Sequence, residues 1–139
     1  MESRLRLRNR AADVDRLTEF ASNFCGQHGL PDAEQSRLLV ILDELFTNVL
    51  SHGYPENAEG EVEIALSLEA DWLSLEFVDD AGPFDPLASP PPDLDLPVEQ
   101  RPIGGIGITI VRALVDEISY CREADRNRLT MRRRIGRPV

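Results

Sequence analysis

The chain has 139 residues, a hydrophobic fraction of 42%, a charged fraction of 29% and a formal net charge of −10. That length buries most of its apolar surface in one domain without disulfide or metal staples. The negative charge speaks against a nucleic-acid binder, which needs a cationic face to neutralise phosphates, and no apolar run reaches the length of a bilayer span.

Arg4-Leu5-Arg6-Leu7-Arg8 alternates strictly and predicts a strand with one buried face. A helix is predicted from about Ala12 to Gln27, with Val14, Leu17, Phe20, Ala21 and Phe24 on one side and Gly26 and Gly29 marking its end. Pro31 and Asp32 open a second helix, where Asp32 with Gln35 resembles a capping box. It runs to about Ser51 and stops at His52-Gly53-Tyr54-Pro55. Glu61–Leu68 and Trp72–Val78 alternate and, joined by Ala70-Asp71, predict a hairpin. Ala81 to Pro102 holds seven of the ten prolines and is expected to be an irregular functional loop or lid. A third helix is expected from about Gly107 to Val115, then strands near Glu117–Arg122 and Arg128–Ile135. This order predicts a layered α+β sandwich, helices on one face of a mostly antiparallel sheet.

All fifteen basic residues are arginine, and eleven lie within Arg4–Arg10 and Arg122–Arg137. Two readings stand: solvated outer faces of terminal strands, or a basic patch for an acidic partner. Cys25 and Cys121 match no metal spacing and are expected to be buried thiols in a reducing cytoplasm. The segment Met1-Glu2-Ser3-Arg4 leads into alternating leucine and arginine rather than an apolar signal core, which also points to the cytoplasm.

Three polar signatures stand out. The first lies on the second helix, where nine of the thirteen residues Leu38–Leu50 are apolar and Asp43, Glu44, Thr47 and Asn48 form a narrow polar strip. A buried carboxylate and amide need partners, so they face water, each other or a ligand. An amide oxygen is a hard ligand suited to Mg²⁺, and a glutamate one turn earlier is placed to take a proton from a hydroxyl. His52 is expected to be structural, near the helix C-terminus.

The second signature is Val78-Asp79-Asp80-Ala81-Gly82-Pro83-Phe84-Asp85-Pro86. Asp79 continues the phase of Leu73, Leu75 and Phe77 toward the helix-covered face, as an acceptor suited to an exocyclic amine. Asp80 has the opposite phase, and a register shift would exchange the two. The third is Arg101-Pro102-Ile103-Gly104-Gly105-Ile106-Gly107-Ile108, where glycines open an apolar helix whose N-terminal amides attract anions. Neither a P-loop nor a dinucleotide fingerprint is present. Arg101 is placed to reach a terminal phosphate.

Together, Glu44-x-x-x-Asn48, the Asp79 turn and the Gly105-x-Gly107 helix entry resemble the N, G1 and G2 boxes of the GHKL ATPase superfamily. The stretch from Glu44 through Asn48 to His52-Gly53-Tyr54 further resembles the anti-sigma-factor serine/threonine kinases of bacterial partner-switching systems. The resemblance covers essentially the whole chain. It implies a two-layer Bergerat-type sandwich, a mixed, mostly antiparallel sheet covered on one face by three helices, in a single domain over residues 1–139. It also implies a lid at about residues 81–103 that orders over ATP. Asn48 would coordinate Mg²⁺, Glu44 would be the catalytic base, and Asp79 would bind the adenine amine. Ala81, Gly82, Arg101, Gly104, Gly105, Ile106, Gly107 and Thr109 would complete the nucleotide site. The implied partners are a STAS-domain anti-anti-sigma protein, phosphorylated on serine or threonine, and a sigma factor; a homodimer is compatible.

The usual adenine box reads Asp-x-Gly, a pattern that Asp80 fits literally while strand phase favours Asp79. The lid is acidic, with Asp85, Asp93, Asp95 and Glu99 opposed only by Arg101. An active kinase and an ATP/ADP-binding regulatory module with little transfer therefore both stand as readings.

Overall fold

Each strand repeats its apolar side chains at every second position, and pairing brings these sets onto one side. The computed structural model describes residues 2–55, 58–88 and 105–135, with His52, Gly105 and Ile106 described by backbone alone. Strand β1 spans Glu2–Arg8, followed by a 3-10 turn at Ala11–Asp13 and helices α1 (Val14–Gln27) and α2 (Asp32–His52). Strands β2 (Glu61–Glu69) and β3 (Trp72–Asp79) precede helix α3 (Gly105–Leu114), and strands β4 (Glu117–Glu123) and β5 (Arg126–Arg134) follow it. The sheet order is β1-β2-β3-β5-β4, and the expected mixed sheet is antiparallel at each pairing among the described residues.

One register row illustrates the layering: Leu5 pairs with Ile64, Ile64 with Phe77, Phe77 with Leu129 and Leu129 with Tyr120. The inward set meets Leu17, Ala21 and Phe24 of α1, Leu38, Ile41, Leu42 and Phe46 of α2, and Ile108 and Val111 of α3 in one core. Each such leucine, isoleucine or phenylalanine contributes about 1.5–3 kcal/mol by leaving water. No helix among the described residues is long and apolar enough to cross a membrane.

Several local expectations are corrected. The Asp32–Gln35 capping box does not form: Pro31 occupies the cap, and its carbonyl accepts the N–H groups of Glu34 and Gln35. Gln35 Nε2 instead donates to Ser22 Oγ at 3.3 Å, tying α2 to α1. The third helix begins at Gly105 and ends at Leu114, and β5 begins at Arg126. Cys25 is buried as expected, whereas Cys121 is exposed because its phase on β4 is opposite to Tyr120. Lid residues 89–104 and the side chain of His52 lie outside the described residues.

The arginines divide in two. Arg4 pairs with Glu2 and Glu63, Arg6 with Glu61 and Glu63, Arg128 with Glu76 and Arg132 with Glu117. The Arg132 guanidinium also lies 4.4 Å from the centre of the Trp72 ring. These outward arginines sit among acids of neighbouring strands, as a solvated face requires. Arg133 has the opposite phase and is 1% exposed. Its Nε and Nη2 grip Glu34 at 2.9 and 3.1 Å, and Nη1 donates to the Leu114 carbonyl at 2.7 Å. Arg37 adds a contact to Glu34 at 2.9 Å. A fork-to-carboxylate bridge of this kind suits arginine and not lysine.

Candidate functional site

The apolar phase of β3 carries Asp79 to the helix-covered side at the strand end, where it is 7% exposed. Its Oδ1 accepts the Ala81 N–H at 3.1 Å and the Asn127 side-chain amide at 2.9 Å. Among the described residues Oδ2 accepts no hydrogen bond. Burial raises the carboxyl above its ordinary range, and the Asn127 and Ala81 donors oppose that shift.

Asp80 turns the other way and holds structure. Its Oδ1 accepts the Tyr54 hydroxyl at 2.6 Å and the Glu61 N–H at 2.9 Å. Partial burial works against its charge, but these donors outweigh it and hold the carboxyl below its usual range. The Tyr54 ring fills the space over Gly60, where an added Cβ would lie 2.1 Å from the ring. The two neighbouring aspartates thus have separate environments, one in a hollow and one joining the exit of α2 to the start of β2.

The hollow beside Asp79 is open to solvent. From α2 it is lined by Leu45, Asn48 and Val49, and from β3 and its following turn by Phe77, Asp79, Ala81 and Gly82. Tyr120, Asn127 and Leu129 form the far wall, with Phe84 and Pro86 also lining it. Mainly apolar walls with a few fixed polar groups suit a flat heteroaromatic ring. Gly53, just past α2, brings the first and second signatures together: a Cβ there would lie 3.2 Å from the Ala81 Cβ and 2.7 Å from the Val49 carbonyl.

The third signature joins at Glu44. A Cβ on Gly107 would lie 2.5 Å from Glu44 Oε2, so the carboxylate sits where only glycine leaves room. Glu44 is half-buried, one helical turn before the half-buried Asn48, while Asp43 and Thr47 are exposed. Glu44 and Gly107 thus lie next to the hollow without lining it. Thr109 is exposed on α3, and Gly105 opens that helix. Arg101, Gly104 and the Ile106 side chain lie outside the described residues.

Asn127, Tyr120 and Arg122 were not among the expected site residues. Asn127 is 5% exposed and donates to Asp79 Oδ1 and the Gly82 carbonyl, both at 2.9 Å. Its Oδ1 accepts from the Tyr120 hydroxyl at 2.6 Å, and from Arg122 Nη1 and the Phe84 N–H at 3.3 Å. Arg122 Nη1 also donates to the Ala81 carbonyl at 2.7 Å. The sequence held one signal for Asn127: it shares strand phase with Leu129 and Met131, and a lone amide on an inward face needs partners.

Comparison with known proteins identifies the family and the fold. The family described as histidine kinase-like ATPase domain matches residues 7–133. A serine-protein kinase RsbW from Oceanobacillus iheyensis is 28% identical over 109 residues, covering 76% of this chain and 68% of that protein. A serine-protein kinase RsbW from Bacillus cereus is 34% identical over 88 residues, covering 60% of this chain and 54% of its relative. The chain thus aligns with little more than half of the second protein. The crystal structure of the RsbU and RsbW domains of Rv1364c from Mycobacterium tuberculosis superposes with a TM-score of 0.70 at 16% identity. That match covers 100% of this chain and 34% of the other, and it shows a shared fold.

Proposed function

The chain belongs to the histidine kinase-like ATPase family, and from that premise we propose that it is an ATP-dependent serine/threonine protein kinase of the anti-sigma-factor type. Its substrate is a STAS-type anti-anti-sigma partner, with a sigma factor as the alternate partner, and it acts in the cytoplasm. The observation that carries this reading is the placement of Glu44 against Gly107, one turn before Asn48 at the wall of the hollow. A carboxylate there would take the proton of an acceptor hydroxyl.

In this reading the purine slots between the apolar walls and its exocyclic amine donates to the open Oδ2 of Asp79. The backbone amides that open α3 receive the phosphates. The side-chain oxygen of Asn48, at the wall of the hollow, would hold Mg²⁺ as a hard oxygen ligand. When bound, Mg²⁺ neutralises phosphate charge. The acceptor hydroxyl gives its proton to Glu44 as its oxygen bonds the terminal phosphorus, and the bond to the bridging oxygen breaks to release ADP. Positioning and charge stabilisation carry most of such a reaction.

A second reading, an ATP/ADP-binding regulatory module with little transfer, is favoured by the acidic sequence of the lid, where Asp93, Asp95 and Glu99 are opposed only by Arg101. One set of measurements separates them. Thermal unfolding of wild type with ATP or ADP should show a Mg²⁺-dependent stabilisation of about 2.7 kcal/mol at a hundredfold excess over Kd, lost in Asn48→Ala. Glu44→Ala should abolish transfer to a STAS substrate while leaving that stabilisation nearly intact. Stabilisation without measurable transfer in wild type selects the second reading, and none with either nucleotide defeats both.

A further inference from the structure

Resting on the reading of the hollow as an adenine site, we propose that Asn127 is the positioning residue for base selection. It fixes Asp79 so that one carboxylate oxygen is committed and the other is free to accept from the 6-amino group of a purine.

The network admits one orientation of the Asn127 amide. The two groups near Nδ2, a carboxylate oxygen and the Gly82 carbonyl, can only accept, while the Phe84 N–H and Arg122 guanidinium near Oδ1 can only donate. Reversing the amide would set like groups against each other on both sides, so the amide is fixed by chemistry. It bonds Oδ1 of Asp79 alongside the Ala81 N–H, leaving Oδ2 without a partner among the described residues in a carboxylate that is 7% exposed. A nearly buried acceptor without a partner, in a side chain lining an open hollow, is a vacancy for a donor. Asn127 also holds both sides of the following turn, through the Gly82 carbonyl and the Phe84 N–H, and so sets the rim against which a ring lies.

Selectivity follows from the protonation state that Asn127 favours. Burial pushes Asp79 toward its neutral form, and the Asn127 donor is the first influence opposing this. As a carboxylate, Asp79 accepts from the 6-amino group of adenine and repels the 6-oxo group of hypoxanthine. A protonated Asp79 can donate to that oxo group. Removing Asn127 should therefore erode discrimination between amino- and oxo-purines, more at lower pH, beyond any general weakening of binding.

The test compares dissociation constants for ATP and inosine triphosphate on wild type, Asn127→Leu and Asn127→Ala, each first shown to melt cooperatively. Leucine keeps the bulk of asparagine without its donors; alanine removes both. Wild type should prefer ATP by roughly 10- to 100-fold, the value of one hydrogen bond to a charged group. In whichever variant folds, the ratio should fall to within about threefold of unity and drift further toward inosine triphosphate as pH is lowered. A folded variant that keeps the wild-type ratio overturns the inference, even if both affinities drop together. Loss of cooperative melting in both variants also counts against it, since Asn127 is then needed for the fold itself. Wild type that binds neither nucleotide defeats the adenine-site reading, and wild type that binds both equally shows that Asp79 does not select the base.

Discussion

Glycine at position 107 works by leaving room. The Glu44 carboxylate occupies the space where a Cβ would project, and the far end of a flexible side chain can move aside. Gly107→Ala should therefore leave the fold intact, with a gain of up to about 1 kcal/mol from better helix propensity. Phosphotransfer should fall at least tenfold because the displaced carboxylate no longer meets the acceptor. Parallel thermal melts and a phosphorylation time course would show it, and undiminished transfer would remove this contact from the mechanism. Asp79 presents the opposite balance, a group whose charge is costly to the fold. Its carboxyl is raised by burial, so its favourable contribution is complete at acid pH and is lost as pH rises through the folded value. Asp79→Asn keeps an acceptor for Asn127 and Ala81 and does not titrate. The variant without nucleotide should match wild type near pH 4 and exceed it by a few degrees in melting temperature toward about pH 8, while losing ATP-induced stabilisation. A constant gap across that range would show that Asp79 keeps an ordinary carboxylate environment.

At the level of elements, the Glu34–Arg133 bridge ties the start of α2 to the end of α3 through β5, with Arg133 Nη1 on the Leu114 carbonyl. Removing Arg133 takes the two-point bridge from the buried Glu34 and leaves it the Arg37 contact. Arg133→Met should therefore cost less than the roughly 3–5 kcal/mol of a fully stranded buried charge in urea unfolding, while Glu34→Met with Arg133→Met should recover much of that loss. Simple additivity of the two single losses would mean that the groups act independently. This bridge also marks where sequence reading stops. The strands β1, β2 and β3 were legible because their apolar and polar residues alternate cleanly, and α2 because apolar residues dominate Leu38–Leu50. β5 alternates as well, but its inward set is Asn127, Leu129, Met131 and Arg133, half of it polar. Nothing local distinguishes the buried Arg133 from its exposed neighbour Arg134, because burial of Arg133 depends on a glutamate 99 positions away. Asn127 stayed hidden for the same reason: its partners Asp79, Gly82 and Phe84 lie more than 40 positions earlier. The side chains legible in advance were those whose chemistry is local, such as Glu44 with Asn48 at helical spacing.

For the molecule as a whole, the two thiols offer separate readouts. Cys121 is exposed on the outer face of β4, whereas Cys25 is 1% exposed in the core and burial raises its thiol. A thiol reagent at neutral pH should modify Cys121 rapidly in the folded protein and Cys25 only when the core opens. Saturating ATP should slow the second event and spare the first; equal rates for both thiols would contradict the packing of α1. The sheet order has a further consequence. β5 lies between β3 and β4, so β4 joins the sheet only through a strand translated after it. During synthesis Asp79 is therefore made long before Asn127, and Tyr120 and Arg122 wait on β5 to be brought against it. A ribosome-bound chain that has not yet released β5 holds both helical signatures but lacks the far wall of the hollow. Asp79 therefore meets Asn127, and the far wall of the hollow is completed, only once β5 has paired with β3.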